Sequence, residues 1–481
     1  MLVTNCAETT LAPYRPSEEN PWDAARVQHL MRRIGFGATL NEILYAVERP
    51  PQTFVQQILD GSAAREPRPA PEWAYYDYDE ITALGITPFE GFMEINYAHQ
   101  EDALRYGVRE TFVNFWHDHF AIQYETHSCA SFHYQYWKVL TDHAFGNFKQ
   151  FVKDITVTPA MLFFLNGFDN RKGSPNENYA RELFELFTLG ENNGYTQEDI
   201  VEASRALTGF NGWTSYCGKV RWTPWSFDDG QKTIFGRTGN FTYATLIDML
   251  FEERPTEISE FICGKVYRYF VNPVVNDDIV AGLARTFRES DWELMPVFRQ
   301  LFASEHFFDP ANVGVLIKDP MDHNISFLRQ GNFPTFENFD GWNYWSAVSM
   351  GMQVGQPPDV SGWTANRSWI DSNRLTLRWN LIHHWSWMVH DHNQTTLPNW
   401  VRSIVDANSP IETVSRAIVD YFIPRGLLTE EAYETATDAM KGELPENYYT
   451  NGDWNLYWDS VSWQVALIFR HICRLPEFQF K

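Results

Sequence analysis

The chain is short of cysteine, short of positive charge and free of long apolar runs. Its five cysteines, Cys6, Cys129, Cys217, Cys263 and Cys473, lie far apart, and no C-x-x-C pair occurs. That disfavours a thiolate zinc site or a thioredoxin-like motif, while one or two disulfides stay open. Lys and Arg number 38 against 62 Asp and Glu, a net charge of −24 over 481 residues. Phosphate contacts need clustered cations, so this balance argues against nucleic acid as a partner and against adsorption to anionic membranes. No stretch approaches the ~20 apolar residues of a transmembrane segment. Also missing are a Gly-x-x-x-x-Gly-Lys-Ser/Thr loop, a Gly-x-Gly-x-x-Gly turn, a Gly-x-Ser-x-Gly elbow and His-Glu-x-x-His. From Met1 to Pro16 no basic segment precedes an apolar one, so no signal peptide is visible and the compartment is left open.

Aromatic residues are what the chain has in plenty. Phe, Tyr and Trp number 36, 22 and 19, and hydrophobic residues make up 44% of the chain. A composition of that kind excludes a disordered or fibrous protein. Apolar positions recur at helical spacing over most of the sequence. The expected fold is mainly α, a large bundle-like array of helices with one small β-hairpin insertion and a long irregular Trp/Gly/Pro-rich segment. The divisions expected are an N-terminal arm (1–22), a helical region carrying the candidate site (23–210), the hairpin insertion (211–242), a second helical region (243–331), the irregular segment (332–372) and a C-terminal helical region (373–481). The hairpin is expected from Val220-Arg221-Trp222 and Lys232-Thr233-Ile234-Phe235, which flank the turn signal Asp228-Asp229-Gly230.

Two segments carry candidate chemistry. Ser174-Pro175 with Glu177 predicts a capping box that opens a helix. On that helix Glu177, Arg181 and Glu185 fall at i, i+4 and i+8 as an ion-pair ladder. Glu182 is left outside the ladder, on a face shared with Asn178 and Glu185, where it can serve as base or ligand; the plain alternative is a solvated polar face. The next helix, opened by Thr196 and Asp199, sets Asp199, Glu202 and Arg205 on one side as a salt-bridge group. The second segment is His117-Asp118-His119. Residues i and i+2 of a helix lie about 200° apart and cannot meet one ion. His119 is expected toward the core, either bonded to a backbone carbonyl or acting as ligand or acid beside Glu182.

These motifs resemble the signature of the bacterial domain of unknown function 1800 family. The resemblance runs from His29-Leu30, Arg32-Arg33 and Gly35-Phe36-Gly37 through Phe115-Trp116-His117 and Asn178-Tyr179-Ala180-Arg181-Glu182-Leu183. It continues with Ala206-Leu207-Thr208-Gly209, Lys318-Asp319-Pro320, Pro357-Pro358-Asp359-Val360, Gly362-Trp363, Trp369 and Arg378. The resemblance implies a mostly helical bacterial protein, often exported and often encoded beside a sulfatase-like companion. Two features depart from it. The usual leader is absent, and Phe227 stands where the family commonly has the histidine of His-Asp-x-Gly-x-Lys.

Two readings follow. One is an enzyme, hydrolytic or redox, with its site between the Glu182 helix and the His117–His119 segment. It would use Glu182 and His119 as acid, base or ligand and Arg181 as an electrostatic clamp. Asn178, Glu185, His117 and Trp363 would bind, and a divalent metal held by His119, His117 and Glu182 is the candidate cofactor. The other is a non-catalytic binding or assembly protein that recognises a saccharide or a partner protein through its Trp-rich segment.

Overall fold

A computed structural model describes residues 10–212 and 216–481. The first nine residues of the expected arm, Cys6 included, and residues 213–215 of the expected insertion lie outside the described residues. The fold is mainly α, with twenty-four α-helices and one two-stranded antiparallel sheet among the described residues. No described helix is long and apolar enough to cross a membrane. The buried apolar residues form two clusters, one drawn from Tyr14 to Trp369 and the other from Phe327 to Phe478. Helix Pro320–Gly331 serves both, giving Met321 and Ile325 to the first and Phe327 and Leu328 to the second.

Two helices are buried nearly all round, which puts them in the middle of the structure. In Val108–His119 every residue but Asp118 is buried, and in Pro320–Gly331 all twelve are. Both nevertheless carry polar side chains, and a buried polar group costs free energy unless it is bonded. Two buried arginines, Arg33 and Arg378, bond to the segments that flank these helices. Arg33 donates to the carbonyls of Phe270, Val271 and Asn312, so it closes the C-terminal end of helix Pro255–Phe270. Arg378 donates to Lys318 O and Gln479 Oε1, fastening the C-terminal strand of chain beside the start of helix Pro320–Gly331.

Local signals are met unevenly. The ladder is present: Arg181 pairs with Glu177 and Glu185, each at 3.2 Å. So is the Thr196–Asp199 capping box, and Arg205 pairs with Glu202 at 2.8 Å. Thr196→Ala is expected to cost about 1 kcal/mol, read as a lower urea midpoint with unchanged slope. The capping box at Ser174 is a correction. The helix starts at Asn178, and the Glu177 carboxylate turns to Arg181 and Gln197 instead of to the backbone.

The hairpin is also shifted. Its strands are Lys232–Ile234 and Arg237–Gly239, joined through Phe235 and Gly236, both at positive φ, as a tight two-residue turn requires. Asp228 and Asp229 are drawn off into ion pairs with Arg205 and Lys172, and Arg221 bridges to Gly212. Phe227, at the position of the family's histidine, lies under the Lys232 ammonium at 5.0 Å. The Trp-rich segment 332–372 contains one regular helix, Phe339–Ser349, followed by an irregular run to the 3-10 turn at Asn366–Trp369.

Candidate active site

Helix Val108–His119 presents His117 and His119 on different sides, as i and i+2 demand. His117 Nε2 accepts from Gly355 N–H at 2.9 Å, so its Nδ1 carries the proton and donates to Tyr136 Oη at 2.7 Å. Tyr136 in turn donates to Phe120 O. Burial pushes the His117 imidazole down to about 3, with His99 adding to the effect. His119 donates through Nε2 to Phe187 O at 3.2 Å and accepts at Nδ1 from the Lys265 ammonium at 3.2 Å. Burial and that ammonium hold it well below the usual histidine range. Both rings are neutral and both are spoken for on each nitrogen.

The Glu182 helix approaches this region through its backbone. After Glu182 the α-helix widens into a π-helix, Leu183–Thr188, in which carbonyls lose their usual partners. Phe187 O meets His119 and Leu186 O meets Lys265. The Glu182 carboxylate is half-buried, and its pKa is raised by that burial and by Glu185. Asn178 is exposed, while Arg181 and Glu185 are half-buried in the ladder. His119, His117 and Glu182 are therefore not gathered around a common point. Among the described residues no group of three His, Cys, Asp or Glu side chains is placed to hold a metal ion.

The residue between the two histidines has the freer chemistry. Asp118 lines a cavity of about 50 Å³ together with Asp319, Arg268, Tyr269, Trp363 and Lys481. That is room for a few water molecules. One Asp118 oxygen, Oδ1, accepts from Trp363 N–H at 2.7 Å, and Oδ2 has no protein hydrogen bond among the described residues. The contact depends on Gly362, at φ +84°, where an added Cβ would come within 2.3 Å of that same oxygen. Burial raises the Asp118 carboxyl to about 6 even though Trp363 N–H and Lys265 pull it down. Lys265, behind it, is pushed by burial down to about 8.

Asp319 stands across the cavity as the N-cap of helix Pro320–Gly331, with Pro320 at its first position. Its carboxyl is also raised, by burial and by neighbouring Asp322 against the pull of Lys481. Lys481 reaches Asp322 Oδ2 at 2.6 Å and is kept there by its backbone N–H donating to Leu316 O. Two carboxyls of raised pKa, two cations and two tryptophans (Trp363 and Trp369) thus share one small cleft.

Of the candidate site residues named from the sequence, only Trp363 lines this cleft, joined by Trp369 and Asp319 from the motifs that carry the resemblance. His117 packs edge-on to its ring at 5.3 Å, and His119 anchors Lys265. Asp118 and Asp319 sit inside His117-Asp118-His119 and Lys318-Asp319-Pro320, where spacing alone does not single them out. Lys265, Arg268 and Lys481 carry no local signal at all. The family model described as "Protein of unknown function (DUF1800)" matches residues 29–480. No curated protein and no solved structure matches the chain.

Proposed function

The chain belongs to the DUF1800 family, and we propose that it is a hydrolase working by paired-carboxylate acid–base chemistry in the Asp118–Asp319 cleft. The observation that supports this reading is the meeting of two carboxyls with raised pKa across a water-sized cavity. Structural carboxylates are normally paired or hydrogen-bonded and so depressed; a raised pair in a cleft is the pattern of an acid and a base. Asp118, ionised above about pH 6, takes a proton from water as the water oxygen bonds to the electrophilic carbon. Asp319, whose protonated form is favoured by burial and by Asp322, gives its proton to the leaving oxygen as the bond to that oxygen breaks. Arg268 and Lys481 steady negative charge that develops on the substrate. Trp363 and Trp369 line a cleft that takes the attacking water and not a ring, so a glycoside or an aryl ester would present only its scissile bond at the mouth.

The test is a panel of chromogenic aryl glycosides and aryl esters with the parent and with Asp319→Asn. The expected result is turnover in the parent whose rate falls toward acid with a limb near pH 6, and loss of turnover in the variant at a thermal midpoint no lower than the parent's. Turnover that Asp319→Asn leaves intact, or a panel on which the parent is inert, would overturn the proposal. The binding reading retains one observation of its own: Trp342 and Trp345, on helix Phe339–Ser349, are 59% and 47% exposed. A saccharide that shifts their fluorescence without being cleaved would favour it.

A further inference from the structure

A second and much larger cavity, about 1030 Å³, opens away from this cleft, between helices Pro88–Arg105 and Ala130–His143 and under the proline-rich connector at 67–71. That volume suits a ligand of drug size. Its lining holds seven carboxylates against three cationic side chains. All three cations are committed: Arg68 to Glu101 and Asp102, Lys138 to Asp142, and Arg109 to Arg65 O and Glu110. Glu101, Asp102, Glu110 and Asp142 meet these cations, Glu90 and Glu94 accept from Thr87 N–H and Trp73 Nε1–H without a balancing charge, and Asp340 has no ion pair among the described residues. The Asp340 carboxyl is raised by burial and by the like charge of Glu101.

The floor is built from buried acceptors. Glu110 is 3% exposed; its Oε1 takes Arg65, and its Oε2 has no hydrogen bond among the described residues. An acceptor left bare at that depth is costly unless a donor comes to it from outside the protein. His99 lies beside it, within the reach of its charge, and donates through Nε2 to Asn114 Oδ1 at 2.7 Å, which leaves Nδ1 as an acceptor. The walls are aromatic: Tyr97, Tyr134 and Trp137 line the cavity, and Tyr75 and Phe89 stand at its rim 51% and 48% exposed. Ring faces are negative and attract cations.

We propose that this groove binds an organic cation, a primary or secondary ammonium compound whose N–H groups meet Glu110 Oε2 and His99 Nδ1 while its carbon frame lies against Tyr134 and Trp137. A neutral polyol could use the same acceptors but would leave the charge surplus uncompensated.

Calorimetric titration of the full chain with spermidine tests this, with cellobiose as the neutral comparison. Saturable binding near one equivalent is expected, weakening with salt, and at least tenfold weaker in Glu110→Gln. Because Glu110 also holds Arg65, a second variant is needed, the exposed Glu101→Gln with the half-buried Asp340→Asn, and several-fold weakening is expected there too. Asp277→Asn with Asp278→Asn removes two exposed charges elsewhere and should change nothing. Equal weakening in that control, many weak equivalents, no binding, or a preference for cellobiose would each overturn the proposal.

Discussion

Asp118→Asn is expected to make the protein more stable at pH 7 and nearly inactive. A carboxyl raised to about 6 in the folded chain has an unfolded value of about 3.9. Below pH 3.9 both states hold the proton and Asp118 contributes nothing to the balance. As pH rises from 4 to 6 the unfolded chain releases its proton while the folded chain keeps it, so stability falls. Above 6 the loss is complete, about 3 kcal/mol at most. Asparagine never ionises and escapes this loss, and its carbonyl oxygen can still accept from Trp363 N–H. Urea midpoints should therefore show the variant ahead of the parent at pH 7 and level with it at pH 4. Turnover should drop by about 10²–10⁴-fold, the range for loss of a general base. A variant less stable at pH 7, or one whose advantage does not change with pH, would show that Asp118 is an ordinary structural acid. Stability surrendered at one residue is what a catalytic group usually imposes.

The second large effect concerns Cys129 and Cys217, which the sequence left open and which are disulfide-bonded across a separation of 88 residues. Closing a loop of that length restricts the unfolded chain by roughly 4–5 kcal/mol in the chain-entropy model. The bond ties the N-cap residue of helix Ala130–His143 to the stretch leading into the hairpin, where Tyr216 also donates to His127 O at 2.6 Å. Both cysteines are buried. Cys217→Ser should lower the unfolding free energy read from the urea transition by most of that amount, and reductant should do the same to the parent once denaturant opens the site. Equal midpoints in parent and variant would mean the bond does not form. Cys263 and Cys473 are buried as free thiols, so neither competes for the pairing.

Much of the fold was legible because it rests on short-range rules. The Glu177–Arg181–Glu185 ladder and the Thr196 cap depend on residues three or four apart, and spacing alone reveals them. The hairpin was half-legible, since Asp228-Asp229-Gly230 is a good turn signal until Arg205 and Lys172 claim its carboxylates. The site was legible only as a neighbourhood. The imidazoles of His117-Asp118-His119 drew the eye, yet which of the three side chains stays free is decided from far along the chain. Gly355 occupies His117 from 238 residues away, Lys265 occupies His119 from 146 and Phe187 from 68. No periodicity encodes those partners. The π-helix was invisible for a related reason: its sequence, Leu183 to Thr188, has the composition of an ordinary amphipathic turn.

That widened turn makes the spacing of this stretch a fixed quantity. A π-helix is an α-helix carrying one residue too many, so removing any one residue between Leu183 and Thr188 would let the ladder close in the common register. The helix would then be locally better bonded. The carbonyls of Leu186 and Phe187 would be drawn inward, and Lys265 and His119 would lose their anchor. Substitutions at the outward-facing positions should be tolerated, whereas a single-codon deletion here should not, however mild the residue removed. In this chain the count of residues, more than their identity, is what keeps the amine of Lys265 behind Asp118.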